Sequence, residues 1–162
     1  MSGRKKVTAE VAVLVTVVVQ NRQRLKRVDS RLLQTMAEES VQLLGRAAEV
    51  CFHLVSAREM ARVNWQYLQH EGSTDVITFD QGSDPSTVRG EIFISVADAV
   101  SQAAEFGTTW QSELVRYVIH GLLHLAGFDD LEPGARRTMK KQEERLLRRL
   151  RQSHPAPGLG LG

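Results

Sequence analysis

The stretch Tyr117-Val118-Ile119-His120-Gly121-Leu122-Leu123-His124-Leu125-Ala126-Gly127-Phe128-Asp129-Asp130 constrains this chain more than any other. It is apolar except at a few positions, so it reads as a central helix that must be buried. At helical pitch His120 and His124 lie on one face, one turn apart. Two imidazoles on so apolar a helix are costly unless something satisfies them, and so placed they can share a metal ion. Gly127 is the natural helix terminator, because glycine takes the left-handed conformation that turns the chain back. Asp130 falls just beyond that turn, where its carboxylate can reach the same ion. Three protein ligands and an open water position make the arrangement of a catalytic zinc site, with one zinc ion per chain. The blander alternative is a buried helix whose histidines bond to backbone.

The 162 residues suffice for one domain with a core, and 42% hydrophobic with 25% charged residues is ordinary for a globular protein. A net charge of +2 permits an anionic partner without demanding one. The single cysteine, Cys51, excludes an intramolecular disulfide, and between Val50 and Phe52 it reads as a small core residue. Arg4, Lys5 and Lys6 before a valine-rich run resemble a signal peptide. Glu10 abuts that run, its β-branched residues suit a strand, and Gln20-Asn21-Arg22 follows in place of a small-residue cleavage site. The run is also too short to span a membrane. A cytoplasmic protein with no membrane partner is expected.

Taken in order, residues 11–20 read as a first strand. Ser30 to about Ala48 reads as an amphipathic helix that tolerates Gly45. Val50 to Val55 is a second strand, and Ser56 with Glu59 forms a capping box opening a helix to about Leu68. A loop at residues 70–73 precedes a third strand, Thr74 to Phe79. The Gly-, Ser-, Asp- and Pro-rich stretch from Gln81 to Arg89 is a surface loop before a fourth strand, Gly90 to Ser95, which suggests an antiparallel pair. Ala97 to Phe106 is a helix closed by Gly107, and Thr108 with Gln111 caps the histidine-bearing helix. Pro133 opens a last helix to about Arg149. The expected fold is α+β: one domain over residues 1–152, with a mixed sheet of about four strands packed with about five helices. Residues 153–162 have no core-forming pattern and are expected to be disordered.

Of the remaining polar residues, Glu91 either faces solvent from its strand or serves a site. Asp75 either caps its loop or takes part in chemistry. Asp129 either orients a ligand imidazole or finishes the turn. His53, His70 and His154 lack partners at ligand spacing. The arginines and lysines of the last helix, interleaved with Glu143 and Glu144, read as a solvated face.

With these residues in hand, the chain resembles the YbeY family of bacterial metal-dependent endoribonucleases, from the strand near Val50 to about Leu147. The family's His-Gly-x-Leu-His-Leu-x-Gly-aromatic-Asp-His signature is similar to His120 through Asp130 here. Its Thr-Asp-Val-Leu-Ser-Phe segment is similar to Thr74 through Phe79, and its Gly-Asp-Ile strand to Gly90-Glu91-Ile92. Met139 and Glu143 fall where the family's last helix has Met and Glu. The resemblance implies cleavage of single-stranded RNA in ribosomal RNA processing and ribosome quality control. It implies ribosomal RNA and small-subunit proteins as partners. It also implies a zinc site at His120, His124 and Asp130, and catalytic roles for Asp129, Glu91 and Asp75.

Two positions depart from the pattern. The third ligand, usually His, is Asp130, an acceptable zinc ligand that adds negative charge. Leu68 stands where the family has a phosphate-suited Arg, which leaves Arg62 or Arg89 to bind substrate. Two rivals remain. A metalloprotease would share the ligand spacing but needs a Glu at the position of Gly121. A ribosome-assembly or RNA-binding factor would keep the metal for structure and cleave little.

Overall fold

The computed structural model describes residues 14–68 and 75–162. The described residues form an α+β domain of four strands and five α-helices, in the order β1 (Val15–Asn21), α1 (Ser30–Leu43), β2 (Ala47–Val55), α2 (Ala57–Val63), β3 (Val76–Asp80), β4 (Thr87–Ser95), α3 (Val96–Phe106), α4 (Trp110–Leu125) and α5 (Pro133–Ser153). A π-helical turn, Asn64–Leu68, extends α2, and a 3-10 turn, Pro157–Gly160, follows α5. The sheet order is β1-β2-β4-β3. β2 runs parallel to β1 and to β4, and β3 is antiparallel to β4, as its short connection suggests.

Side chains alternate across a strand, and the two faces of this sheet serve different purposes. Gly90 and Ile92 of β4 face α4. A Cβ at Gly121 would lie 2.8 Å from Ile92 Cγ2, and one at Gly90 would lie 3.1 Å from the Leu125 methyls and run into the Phe79 carbonyl. The two glycines therefore let the histidine-bearing helix lie directly on the sheet. Ile119, Leu122 and Leu123 of α4 are fully buried there with Leu33 and Met36 of α1 and Leu146, Leu147 and Leu150 of α5. Removing any one of these leucines down to alanine would cost about 2–5 kcal/mol. On the other face a smaller cluster of Val55, Met60, Val63 and Ile77, with Phe79 and Phe93, seats α2 at the β3 end.

Local chemistry sets the helix ends. Asp29 accepts from Leu32 N–H at 3.0 Å to start α1. Gly45, at φ 69°, ends it, so the helix does not run to Ala48, which is a buried residue of β2. The expectation of a helix through Gly45 was wrong because that glycine is the C-terminal signal. Ser56 caps α2 by accepting from Glu59 N–H at 3.1 Å, and Gly107, at φ 67°, closes α3 as expected. The cap of α4 is one residue later than the sequence suggests. Thr109 accepts from Ser112 N–H at 3.2 Å, while the Thr108 hydroxyl donates to Glu113 Oε1 at 2.9 Å. The first strand begins at Val15, β2 and β4 each begin three residues early, and α5 runs on to Ser153. Residues 11–13 and 70–74, for which a strand start and a loop were expected, lie outside the described residues.

The tail also differs from expectation. Leu159 and Leu161 are buried against the core, and Asp29 N–H donates to the Leu161 carbonyl at 2.9 Å. Residues 157–162 are apolar enough to dock in the gap beside α1 and α4, although their glycines give no periodic signal. No helix among the described residues is long and apolar enough to cross a membrane.

Candidate metal centre

α4 ends at a tight turn in which Gly127, at φ 99°, donates to the His124 carbonyl and Phe128 donates to that of Leu123, both at 3.0 Å. This turn brings Asp130 back over the last helical turn. His120 Nε2 and His124 Nε2 are 3.1 Å apart, and Asp130 Oδ2 lies 3.7 and 3.6 Å from them. A tetrahedral zinc ion with bonds near 2.0–2.1 Å needs donor atoms about 3.3 Å apart. Two imidazoles and one carboxylate at these separations fit such an ion. Their side chains stay about one-third exposed, so a further coordination position opens to solvent.

Glu143 of α5 completes the arrangement. Its Oε2 lies 3.1 Å from His120 Nδ1, which fixes the proton on that nitrogen and leaves Nε2 turned toward Asp130 and His124. This carboxylate raises the pKa of His120 against the opposing effect of burial, with Asp130 and Asp75 adding to the rise. Arg116 of α4 donates to Glu143 Oε1 at 3.2 Å and to Glu144 Oε1 at 2.6 Å, and it holds the Glu144 carboxyl below the usual range. Glu143 was read from sequence as part of a solvated face. Only the packing of α5 on α4 brings it to His120, and its resemblance to a family position was the one signal available.

The histidines face two hollows. A cavity of about 360 Å³ is lined by Asp75, Tyr117, His120, Asp130, Arg136 and Lys140 among others. A cleft of about 240 Å³ is lined by Leu68, Asp75, Val76, Ile77, Thr78, His120 and His124. Asp75 borders both, and Leu68 lies in the cleft where the resemblance calls for an arginine. The Tyr117 hydroxyl is buried at the cavity with no hydrogen-bond partner among the described residues. Burial and the nearby Asp75 and Glu113 carboxylates push its ionisation up.

The other expected site residues are elsewhere. Asp129 accepts from Leu131 N–H at 2.9 Å and finishes the turn. Glu91 points to the face of the sheet away from α4, where its Oε1 is 2.9 Å from His53 Nε2 and its Oε2 accepts from Gln81 at 3.1 Å. It is not brought to His120. Arg89 is held by the Gly82 carbonyl, Asp84 and Glu49. Arg62 is exposed on α2, and neither arginine lines the two hollows. The cations that do line them are Arg116 of α4 and Arg136 and Lys140 of α5. His53 lies beside Glu91 and Arg22, and His154 Nε2 is 2.9 Å from Glu39 Oε1. His70 lies outside the described residues.

Comparison with known proteins identifies the family and the fold. The sequence profile of the family described as Endoribonuclease YbeY matches residues 16–151. The Endoribonuclease YbeY of Chlorobium luteolum is 38% identical over 126 residues, covering 77% of this chain and 91% of that protein. That of Bacteroides thetaiotaomicron is 41% identical over 104 residues, covering 63% and 74%. The solution structure of TM1509 from Thermotoga maritima superimposes with a TM-score of 0.61 at 29% identity, over 85% of this chain and 93% of that one. With a profile match across most of its length, relatives about 40% identical and a shared fold, this chain belongs to the YbeY family.

Proposed function

We propose that this protein is a zinc-dependent endoribonuclease that cuts single-stranded RNA, acting in ribosomal RNA processing and ribosome quality control in the cytoplasm. The observation that carries the reading is the convergence of His120, His124 and Asp130 on one point beside an open cavity. Zinc held there would supply a Lewis acid for a phosphoryl oxygen. Everything else falls to the chain. Glu143 keeps His120 in the tautomer that presents Nε2. Arg136 and Lys140 border the cavity and offer cations to phosphates on either side of the scissile bond. Asp75 borders both hollows, and its carboxylate is the group we assign to take the proton from the attacking hydroxyl.

Single strands suit such a site, because unpaired RNA can bend its backbone into a hollow. Gly121 stands where a metalloprotease would carry its glutamate base, which disfavours peptidase chemistry. One observation favours the assembly-factor alternative, in which the protein binds ribosomal RNA and small-subunit proteins but cleaves little. Leu68 puts an apolar side chain in the cleft beside both histidines. Labelled single-stranded and duplex RNA, incubated with zinc-replete protein, chelator-treated protein and His124→Ala, separates the two. Cleavage of the single strand by the first sample alone supports the nuclease. Equal background in all three favours the assembly factor.

A further inference from the structure

We propose that Cys51, His53 and Glu91 form a second cation site, on the sheet face opposite α4, that takes a thiophilic divalent ion such as zinc or cobalt. Cys51 and His53 are two apart on β2 and so share a face, and Glu91 is the register partner of Cys51 on β4. One sulfur, one imidazole nitrogen and one carboxylate oxygen lie within 4.8 Å of one another. Thiolate, imidazole and carboxylate are each zinc ligands, and a set of three leaves a fourth position for solvent.

The site is built rather than accidental in its rigidity. The His53 ring is buried and stacks on Phe93, with centroids 4.3 Å apart and planes 13° from parallel. Gln81 donates to the outer oxygen of Glu91 at 3.1 Å and steadies the carboxylate. All three donors stand on paired strands, which hold positions better than loops.

The entry path is open. The Glu91 side chain is 38% exposed, and Val18, the register partner of Cys51 on β1, is 44% exposed. Burial and then the Glu91 charge push the Cys51 thiol up, so it carries its proton in the absence of an ion. On binding, the S–H bond breaks, a sulfur–metal bond forms, and the proton passes to solvent.

Arg22 must move when an ion binds. It lies 2.8 Å from His53 Nδ1, and its partner Glu59 already accepts from it at 2.7 Å. In the ion-bound form Nδ1 carries the ring proton, Nε2 is the ligand, and Arg22 turns wholly to Glu59.

Cobalt titration of metal-depleted protein tests this, because Cys51 is the chain's only cysteine and any sulfur-to-cobalt charge-transfer band reports it alone. The band should saturate at one equivalent per chain in the His120→Ala/His124→Ala double variant, and by two equivalents in the wild type, whose first site also takes cobalt. Cys51→Ser and Cys51→Ala should abolish it. His53→Ala and Glu91→Gln should weaken cobalt affinity at least tenfold. No band in the wild type would overturn the proposal, as would saturation of the double variant at half an equivalent per chain, which means a sulfur bridge between two copies. An unchanged band in a folded His53→Ala variant would also overturn it.

Discussion

Glu143 Oε2 lies 3.1 Å from His120 Nδ1, so a residue of the last helix sets which nitrogen of a ligand imidazole faces the candidate metal position. Partners of this kind typically contribute about ten- to a hundredfold to metal affinity. Glu143→Ala should therefore raise the zinc dissociation constant by about that factor while both histidines remain. Competition against a chromophoric chelator measures it. An unchanged constant would mean that Glu143 serves only to anchor Arg116.

Leu68→Arg should restore a cation to the cleft beside His120 and His124. One added phosphate contact should tighten single-stranded RNA binding and steepen its salt dependence by a slope of about 0.7. Fluorescence anisotropy over a salt series reads both. Tighter binding with no change in slope would point to a contact other than phosphate.

Leu161→Ala should destabilise the fold by about 2–5 kcal/mol, since the side chain is fully buried among core residues. Urea unfolding measures this. A change below about 0.5 kcal/mol would mean that the tail does not pack as described.

How far the sequence reveals all this depends on how local the signal is. The histidine helix, its glycine stop and Asp130 lie within eleven consecutive residues, and geometry along one chain segment is enough to join them. The β3–β4 pair was legible for the same reason, through a loop too short for a crossover. Glu143 and Glu91 were not, because each acquires its role from packing between distant segments. α5 carries Glu143 to His120, while the parallel register of β2 with β4 carries Glu91 to His53 and away from α4. The tail failed for another reason. Leu159 and Leu161 are set among glycines, so nothing periodic marks them as core.

Asp84 gives a prediction in pH. Its carboxylate accepts from the Ser86 hydroxyl at 2.7 Å and from the Ser86 and Thr87 N–H groups at 2.8 Å each, which lowers its pKa from 3.8 to about 2. Because the folded value lies below the unfolded one, its contribution to the turn is fully present above the unfolded value. It is lost as pH falls toward about 2. Carbon-detected NMR titration of the side chain should show that midpoint. A midpoint near 3.8 would mean that the three hydrogen bonds do not persist in solution.

The central claim is that RNA cleavage depends on a metal ion held by His120, His124 and Asp130. Zinc content and single-stranded RNA cleavage, measured on the same preparations of wild type and His124→Ala, test it most directly. The account predicts that the variant holds one equivalent of zinc fewer per chain and loses cleavage with it. A folded His124→Ala protein that keeps the wild-type zinc content, or that cuts RNA as fast as the wild type, would contradict it.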